Sequence, residues 1–219
     1  VAALLCVAFG AMTLLTLLAL YYGQRRGGAG GTEAAALLDA LTGVPALLKD
    51  TLPALRDTAG RLARAFAGAR SFFYLGRGPA YALALEGALK LKELSYIHAE
   101  GYAAGEMKHG PIALVDPEFP TFVLALDDEL LPKVLSNIVQ VQARQGKVIA
   151  LMQRRSVDAA DEALPIPDVN EPWLLPSAHP LAAAFLALPA LQLFSYEMAD
   201  YLGKDVDQPR NLAKSVTVE

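Results

Sequence analysis

The sequence holds one cysteine, three histidines and no run of positive charge among its 219 residues. The lone Cys6 excludes an internal disulfide framework and a cysteine-rich metal site, and it fits a reducing, cytoplasmic setting. His98, His109 and His179 lack the spacing of metal ligands, so no metal or other cofactor is expected. The net charge of −4 argues against a nucleic-acid partner.

Apolar side chains are abundant and make up 54% of the chain. Residues 1–22 carry no charge and precede Arg25 and Arg26, so by length they could span a membrane. A signal peptide is disfavoured, because this run has no charged start and no small-residue cleavage motif. A helix buried in an α/β core agrees better with the rest of the chain, so we predict that and no membrane partner. Because the chain begins at Val1, inside the run, we expect a longer polypeptide.

Short apolar runs of strand length alternate with helical patterns after residue 70. Such alternation is typical of a parallel sheet with helices on both faces, because parallel strands need crossover connections. Right-handed crossovers then give a doubly wound, flavodoxin-like α/β/α sandwich of three layers. The predicted strands are residues 71–75, 121–126, 147–152 and 163–166, and the predicted helices are 79–98, 130–145 and 179–202. Helical patterns from Glu33 and over 44–69 precede them, after a glycine-rich break at 27–31.

Three charged residues share one face of the predicted helix at 79–98. Glu86, Lys90 and Glu93 are spaced i, i+4 and i+7. A solvated face held by Glu–Lys pairs would give the same pattern. Neighbouring leucines leave little of this helix for water, however, so we expect some of the charges to lie in a cleft. There, a carboxylate and an ammonium could move a proton between adjacent carbons of a sugar.

His109 stands before Gly110 and Pro111, a rigid pair that would fix the position of its ring. An imidazole near the charged face would complete an acid–base set, although a lone histidine is more often structural. We interpret His98 as a buried core residue and His179 as an exposed helix start.

A glycine-rich turn, Gly76-Arg77-Gly78-Pro79, follows the first predicted strand. Its glycines permit a tight turn, and its amides together with Arg77 could hold an anion such as a phosphate. Turns of this kind occur throughout α/β proteins, so the alternative is a purely structural turn with Arg77 in an ion pair.

The final segment, residues 205–219, is polar and contains Lys214. Chain ends are normally frayed. Here Pro209 restrains the backbone, and Asn211 and Leu212 could cap and anchor it. An ordered tail could close over a cleft, and a desolvated lysine can add to a carbonyl as a Schiff base.

Two segments, EGALKLKELSYIHAEGYAAGEMKHGP (86–111) and DVDQPRNLAKSVTVE (205–219), resemble the isomerase domain of the glutamine:fructose-6-phosphate aminotransferase family. The resemblance covers residues 70–219 and implies the second of two sugar-isomerase (SIS) subdomains. Residues 1–69 would then be a helical lead-in, 70–204 the SIS domain and 205–219 an active-site tail. The family makes glucosamine 6-phosphate from fructose 6-phosphate and glutamine-derived ammonia, and the resemblance implies a homodimer.

The resemblance also implies a role for each matching residue. Glu93 would be the general base that moves a proton between C1 and C2, and Lys90 would assist proton transfer at the sugar oxygens. His109 would open the sugar ring in the neighbouring subunit's site. Lys214 would form the Schiff base with the ketose, beside a backbone contact from Ala213.

Two parts of the family's machinery do not occur in this sequence. The glutaminase domain needs an N-terminal cysteine, whereas Cys6 lies in an apolar run, and no Ser/Thr-rich loop can hold the phosphate. The turn at 76–79 is the positional analogue of that loop without its hydroxyls, so we do not expect the sugar's phosphate there. We therefore expect this chain to be inactive alone. The alternatives are a SIS sugar-phosphate deglycase or deaminase, a non-catalytic sugar-phosphate-binding SIS module, and a membrane-anchored protein.

Overall fold

The computed structural model describes residues 2–27, 31–126, 128–153 and 167–211, with side chains from residue 7 onward. These residues form five helices, five strands and two short 3₁₀ turns. In chain order the elements are α1 (Ala2–Arg25), α2 (Gly31–Phe66), β1 (Ser71–Gly76), α3 (Pro79–Ser95), β2 (His98–Ala103), the 3₁₀ turns Met107–His109 and Pro111–Leu114, β3 (Thr121–Ala125), α4 (Leu131–Gln142), β4 (Val148–Gln153), β5 (Glu171–Leu175) and α5 (Pro180–Tyr201).

All five strands are parallel and lie in the order β2-β1-β3-β4-β5. The chain leaves β1 towards one edge and then crosses to the other, so the strand order reverses between β1 and β3. This flavodoxin-like, doubly wound order confirms the predicted fold class. Three of the predicted strands correspond to β1, β3 and β4, whereas the predicted strand at 163–166 lies outside the described residues.

Successive side chains along the strands face two separate cores. Phe72 and Tyr74 of β1 pack under α2, α3 and α5, whereas Phe73 and Leu75 face α4 on the other side of the sheet. All four are fully buried. The helices therefore cover both faces of the sheet, as predicted, and α3 is held against β1 and its edge neighbour β2.

The sequence does not predict the two edge strands, because their compositions hide them. β2 reads HAEGYA, without a β-branched residue, and β5 reads EPWLL, with Pro172 inside it. Proline and glycine are tolerated at an edge because one side of the strand has no partner. β2 also shortens the helix predicted at 79–98, which ends at Ser95 with Tyr96 in the left-handed region (φ 64°).

The interpretation of His98 as a core residue is wrong. His98 begins β2, 59% of its side chain is exposed, and its Nε2 lies 3.5 Å from Glu100 Oε1. The reason is the early end of α3, which moves His98 from a helix onto an edge strand. His179 is exposed at the start of α5, as predicted, and its Nδ1 accepts a hydrogen bond from Leu181 N.

The expectation that residues 1–22 form a buried helix is wrong for residues 7–22, the part of this run whose side chains the structure describes. α1 packs on the remaining helices through residues such as Phe9 and Met12, and the Phe9 ring lies 5.7 Å from that of Phe185. From residue 7 onward, Leu20 is the one α1 side chain that is buried. Apolar residues surround this helix on all sides, so one neighbouring surface cannot cover them.

Two helices in the described part of the chain are long and apolar enough to cross a membrane, judged by length and composition alone. They are Val7–Arg25 of α1 and Pro180–Tyr201, which is α5. α5 is a core helix, since 78% of its apolar window is buried. Passing this test therefore does not show that α1 crosses a membrane. What distinguishes α1 from α5 is that almost none of its apolar window is buried.

Tyr74 provides a test of how the core is packed. Its ring stacks on Phe122 with centroids 5.1 Å apart, burial raises the pKa of its phenol, and its hydroxyl has no hydrogen-bond partner among the described residues. A buried, unsatisfied hydroxyl costs about 1–3 kcal/mol. Tyr74→Phe should therefore leave the free energy of unfolding unchanged or raise it by about 1 kcal/mol, as measured by urea denaturation.

Tyr102→Phe is the matched control, because the Tyr102 hydroxyl donates to Glu100 Oε2 at 2.8 Å. That variant should be neutral or slightly destabilised. A clear loss of stability in Tyr74→Phe would mean that its hydroxyl is satisfied after all.

Candidate active site

α3 packs directly against the sheet, and its charged residues lie at the edge of the buried surface. Gly87 makes the approach possible, because a Cβ there would lie 2.8 Å from Tyr74 Cε1. Leu83 and Leu91 are buried on the same helix. Glu86, Lys90 and Glu93 consequently lie where the buried face of α3 meets solvent.

Lys90, Glu86 and Glu93 form one ionic cluster. Lys90 Nζ donates to Glu93 Oε2 at 2.6 Å and lies 3.9 Å from Glu86 Oε1. The Lys90 side chain is only 9% exposed, whereas the side chains of Glu86 and Glu93 are 27% and 25% exposed. Two carboxylates against one ammonium leave a net negative charge that solvent can reach. The arrangement can orient one carboxylate, Glu93, as a base with an acid beside it.

The leucines of α3 were expected to be shielded from water, and only some of them are. Leu83, Leu91 and Leu94 are buried, but Leu85 and Leu89 are 43% and 41% exposed. One side of α3 is therefore apolar and open to solvent. The charged cluster is not an ordinary solvated face, because its central ammonium is buried.

His109 lies at the opposite end of the strands from this cluster. α3 ends near the start of β2, whereas the 3₁₀ turn Met107–His109 follows the end of β2. Six strand residues span about 20 Å. Buried Met107 and a hydrogen bond from His109 N to Glu106 O hold the turn, and the His109 side chain is exposed. Within this chain the structure does not bring His109 to Glu93.

The start of the tail is fastened to the residue that ends α3. The Arg210 amide donates to Tyr96 Oη at 2.8 Å, and the Arg210 guanidinium lies 4.2 Å from the Tyr96 ring centroid. Asp205 Oδ1 accepts from the amides of Asp207 and Gln208, which turns the chain towards this contact. Ala213 and Lys214, the predicted site residues of the tail, lie outside the described residues.

Tyr96 and Arg210 were not identifiable as partners from the sequence, although both lie inside the two motifs. They are 114 positions apart, and no periodicity or spacing rule connects them. The one available signal is chemical: an aromatic ring and an arginine each stand close to a predicted catalytic residue.

Two surface depressions lie away from the Lys90–Glu93 cluster. One, of about 510 Å³, is at the amino ends of the strands, between the end of α2 and the loop before β3. The other, of about 340 Å³, is at the carboxyl ends, between Arg77, Lys108 and the start of α4. Among the residues that the structure describes, no group of three or more His, Cys, Asp or Glu could hold a metal ion.

The SIS domain family model matches residues 65–199. Over 213 residues the chain is 46% identical to the glutamine–fructose-6-phosphate aminotransferase (isomerizing) of Bacteroides thetaiotaomicron, covering 96% of this chain and 33% of that protein. It is 47% identical to the Thermus thermophilus enzyme of the same name, covering 97% and 34%. The chain thus spans about a third of the length of these relatives.

A solved structure of an aminotransferase of this kind also resembles the chain in its fold. The C-terminal domain of glucosamine-fructose-6-phosphate aminotransferase from Francisella tularensis superposes with a TM-score of 0.81 at 36% identity, covering 89% of this chain and 53% of that one. A glucosamine-6-phosphate deaminase from Thermotoga maritima superposes with a TM-score of 0.60 at 20% identity, covering 95% and 56%. The second likeness concerns the fold alone.

The two carboxylates beside Lys90 should differ in their effect on stability. Glu93→Gln removes the 2.6 Å partner of a buried ammonium and should lower the free energy of unfolding by about 1–3 kcal/mol at neutral pH. Glu86→Gln, the matched control, removes a 3.9 Å contact and should cost about 0.5 kcal/mol or less. Urea denaturation of both variants measures the difference, and equal losses would contradict the observed asymmetry.

Proposed function

The chain belongs to the SIS domain family, and we propose that it forms the C-terminal part of an enzyme that makes glucosamine 6-phosphate from fructose 6-phosphate and glutamine-derived ammonia. The observation that carries the proposal is the buried Lys90 bonded to Glu93, with the tail fastened three residues further along the chain at Tyr96. The identity of nearly one half to the aminotransferases, over almost the whole chain, supports it.

In the proposed reaction, Lys214 starts and Glu93 completes the chemistry at C1 and C2. The neutral amine of Lys214 adds to the C2 carbonyl of the open-chain ketose, and loss of water leaves an imine. Ammonia then displaces the lysine from C2. Glu93 removes a proton from C1 and returns it to C2, while Lys90 assists transfer of the proton of the C1 hydroxyl to the imine nitrogen, so that C1 becomes an aldehyde and C2 carries the amino group.

The described part of the tail supports a meeting of Lys214 with Glu93. Lys214 is four residues beyond Arg210, and four extended residues span at most about 14 Å. Glu93 is three residues before Tyr96, which is roughly 5 Å along a helix. Since Arg210 touches Tyr96, the tail has enough length for its lysine to reach the carboxylate.

His109 has a different place in the proposal. Its exposed side chain lies at the carboxyl ends of the strands, opposite to the end where Glu93 lies, so we assign it to ring opening in the site of the neighbouring subunit of a homodimer. The proposal further includes a cytoplasmic location, no cofactor, and the division into a helical lead-in (1–69), a SIS domain (70–204) and an active-site tail (205–219). The phosphate grip and the glutaminase would be supplied by upstream domains of the polypeptide.

Trapping of the Schiff base tests the assignment of Lys214. When the longer polypeptide that the proposal requires is incubated with fructose 6-phosphate and a hydride reductant, one reduced sugar phosphate should become attached, because the imine is converted to a stable amine. Peptide mass spectrometry should locate the adduct at Lys214. Lys214→Ala should abolish both the adduct and the synthesis of glucosamine 6-phosphate. Lys147→Ala, which replaces an exposed lysine outside the tail, is the control, and unaltered synthesis in Lys214→Ala would remove the assignment.

The tail contact at Tyr96 is testable without catalysis. Tyr96→Phe removes the hydrogen bond to the Arg210 amide but keeps the ring under the guanidinium. Tyr96→Asn removes both contacts, together with the contact of the ring with Lys204 Nζ at 5.9 Å, while keeping a residue that tolerates positive φ. Amide exchange of residues 204–211 should quicken about 10-fold in Tyr96→Phe and more in Tyr96→Asn.

Tyr201→Phe serves as the control for these variants, because Tyr201 is 56% exposed. Unchanged tail exchange in Tyr96→Asn would show that the tail is held by other contacts. In the active polypeptide, a tail that is less well positioned should lower kcat more than it raises KM.

A further inference from the structure

The 340 Å³ cleft at the carboxyl ends of the strands occupies the place where open α/β sheets bind ligands. It lies where the strand order reverses between β1 and β3, and its walls are the turn after β1, the loop after β2 and one face of α4. We call it the switch-point cleft. Its lining residues are Arg77, Gly105, Lys108, Pro132, Lys133, Ser136, Asn137 and Gln140.

The charged residues that line the switch-point cleft are all cationic. Arg77, Lys108 and Lys133 line it, and no described lining residue is a carboxylate. In the part of the chain that the structure describes, none of the three cations forms an ion pair. Three uncompensated cations around one concave surface attract small anions.

Arg77 is held in place by a neutral partner, so its charge remains available. Its Nε donates to Asn137 Oδ1 at 3.1 Å, and Asn137, which is 3% exposed, donates in turn to the Ala104 carbonyl at 2.9 Å. The guanidinium lies against Gly105, where a Cβ would come within 3.3 Å of Nη2. The terminal amino groups of the guanidinium, which match the oxygens of a phosphate, are thereby oriented in advance.

The start of α4 adds a second reason to expect an anion. Lys133 stands in the first turn of this twelve-residue helix, a turn without an acidic residue. The positive end of the helix dipole disfavours a cation there. Asp128, which precedes the helix, accepts a hydrogen bond from Leu130 N and is not part of the lining. A bound anion would relieve the repulsion and could also accept from Ser136.

The switch-point cleft is separate from the Lys90–Glu93 cluster. Lys90 stands thirteen positions after Arg77, which is about 20 Å at the rise of a helix. The turn 76–79 has no hydroxyl side chains, and for that reason the sequence does not predict the sugar's phosphate there. The cleft uses cations from two further segments instead, Lys108 and Lys133, which the sequence did not connect with that turn.

We propose that the switch-point cleft binds a phosphate-bearing small molecule, as a second ligand site that is distinct from the proposed sugar site. Recognition rests on the oriented Arg77 fork, on Lys108 and Lys133, and on the amino end of α4. The volume admits a phosphate together with a small attached group. This inference is independent of the role of Lys214.

Titration with inorganic phosphate, followed by amide NMR, tests the proposal on this chain. The amide signals of Arg77, Gly105 and Lys133 should shift saturably at millimolar phosphate or below. Combined Lys108→Gln and Lys133→Gln substitutions, which leave the Arg77–Asn137 contact in place, should weaken binding about 10-fold or more. Lys147→Gln is the matched control, because Lys147 is an exposed lysine at the other depression and should not change the affinity.

A second titration with fructose 6-phosphate separates the possible sources of the phosphate group. Tighter binding than inorganic phosphate would assign a phosphorylated sugar, and equal binding would assign the phosphate group alone. Lys214→Ala should bind as the unmodified chain does, so failure of the proposed catalysis would leave this result intact. The proposal is overturned if these amides do not shift saturably, or if Lys147→Gln weakens binding as much as the double substitution.

Discussion

A parallel strand cannot be followed directly by its parallel neighbour, and this constraint distributes the polar groups of the chain over two ends of the sheet. α3 carries the chain from the carboxyl end of β1 back to the amino end, where Lys90 and Glu93 lie close to its last turn. α5 likewise runs from the carboxyl end of β5 back to the amino ends of the strands, so the tail begins at the amino ends as well. β2 brings the chain forward again and leaves Lys108 and His109 at the other end.

The ionic cluster on α3 depends on how deeply one ammonium is buried. Exposed pairs one helical turn apart contribute only tenths of a kcal/mol. Lys90 differs because its side chain is almost covered while both carboxylates keep access to solvent. At Gly87, one turn before Lys90, a Cβ would lie 2.8 Å from Tyr74 Cε1, so this glycine allows α3 to pack against the sheet where Lys90 is buried.

The three inner strands of the sheet could be predicted from the sequence, and the two edge strands could not. β1, β3 and β4 are buried on both faces and therefore read as continuous apolar runs. β2 and β5 have one neighbour each, and their compositions carry no comparable signal. His98 was misplaced for this reason. The Glu86–Lys90–Glu93 cluster follows from local periodicity, whereas the Tyr96–Arg210 contact depends on tertiary structure that no short-range pattern encodes.

Tyr96 joins two parts of the chain that the folded sheet has already brought together. The entropy of closing so long a loop is lost when α5 docks, so fastening the tail orders only the few residues after Tyr201. One hydrogen bond and the two cation–π contacts of Arg210 and Lys204 are of a size that thermal motion can break without disturbing the core. The described start of the tail, residues 205–211, can therefore leave Tyr96 and return to it while the core stays folded, so opening this contact requires no global unfolding.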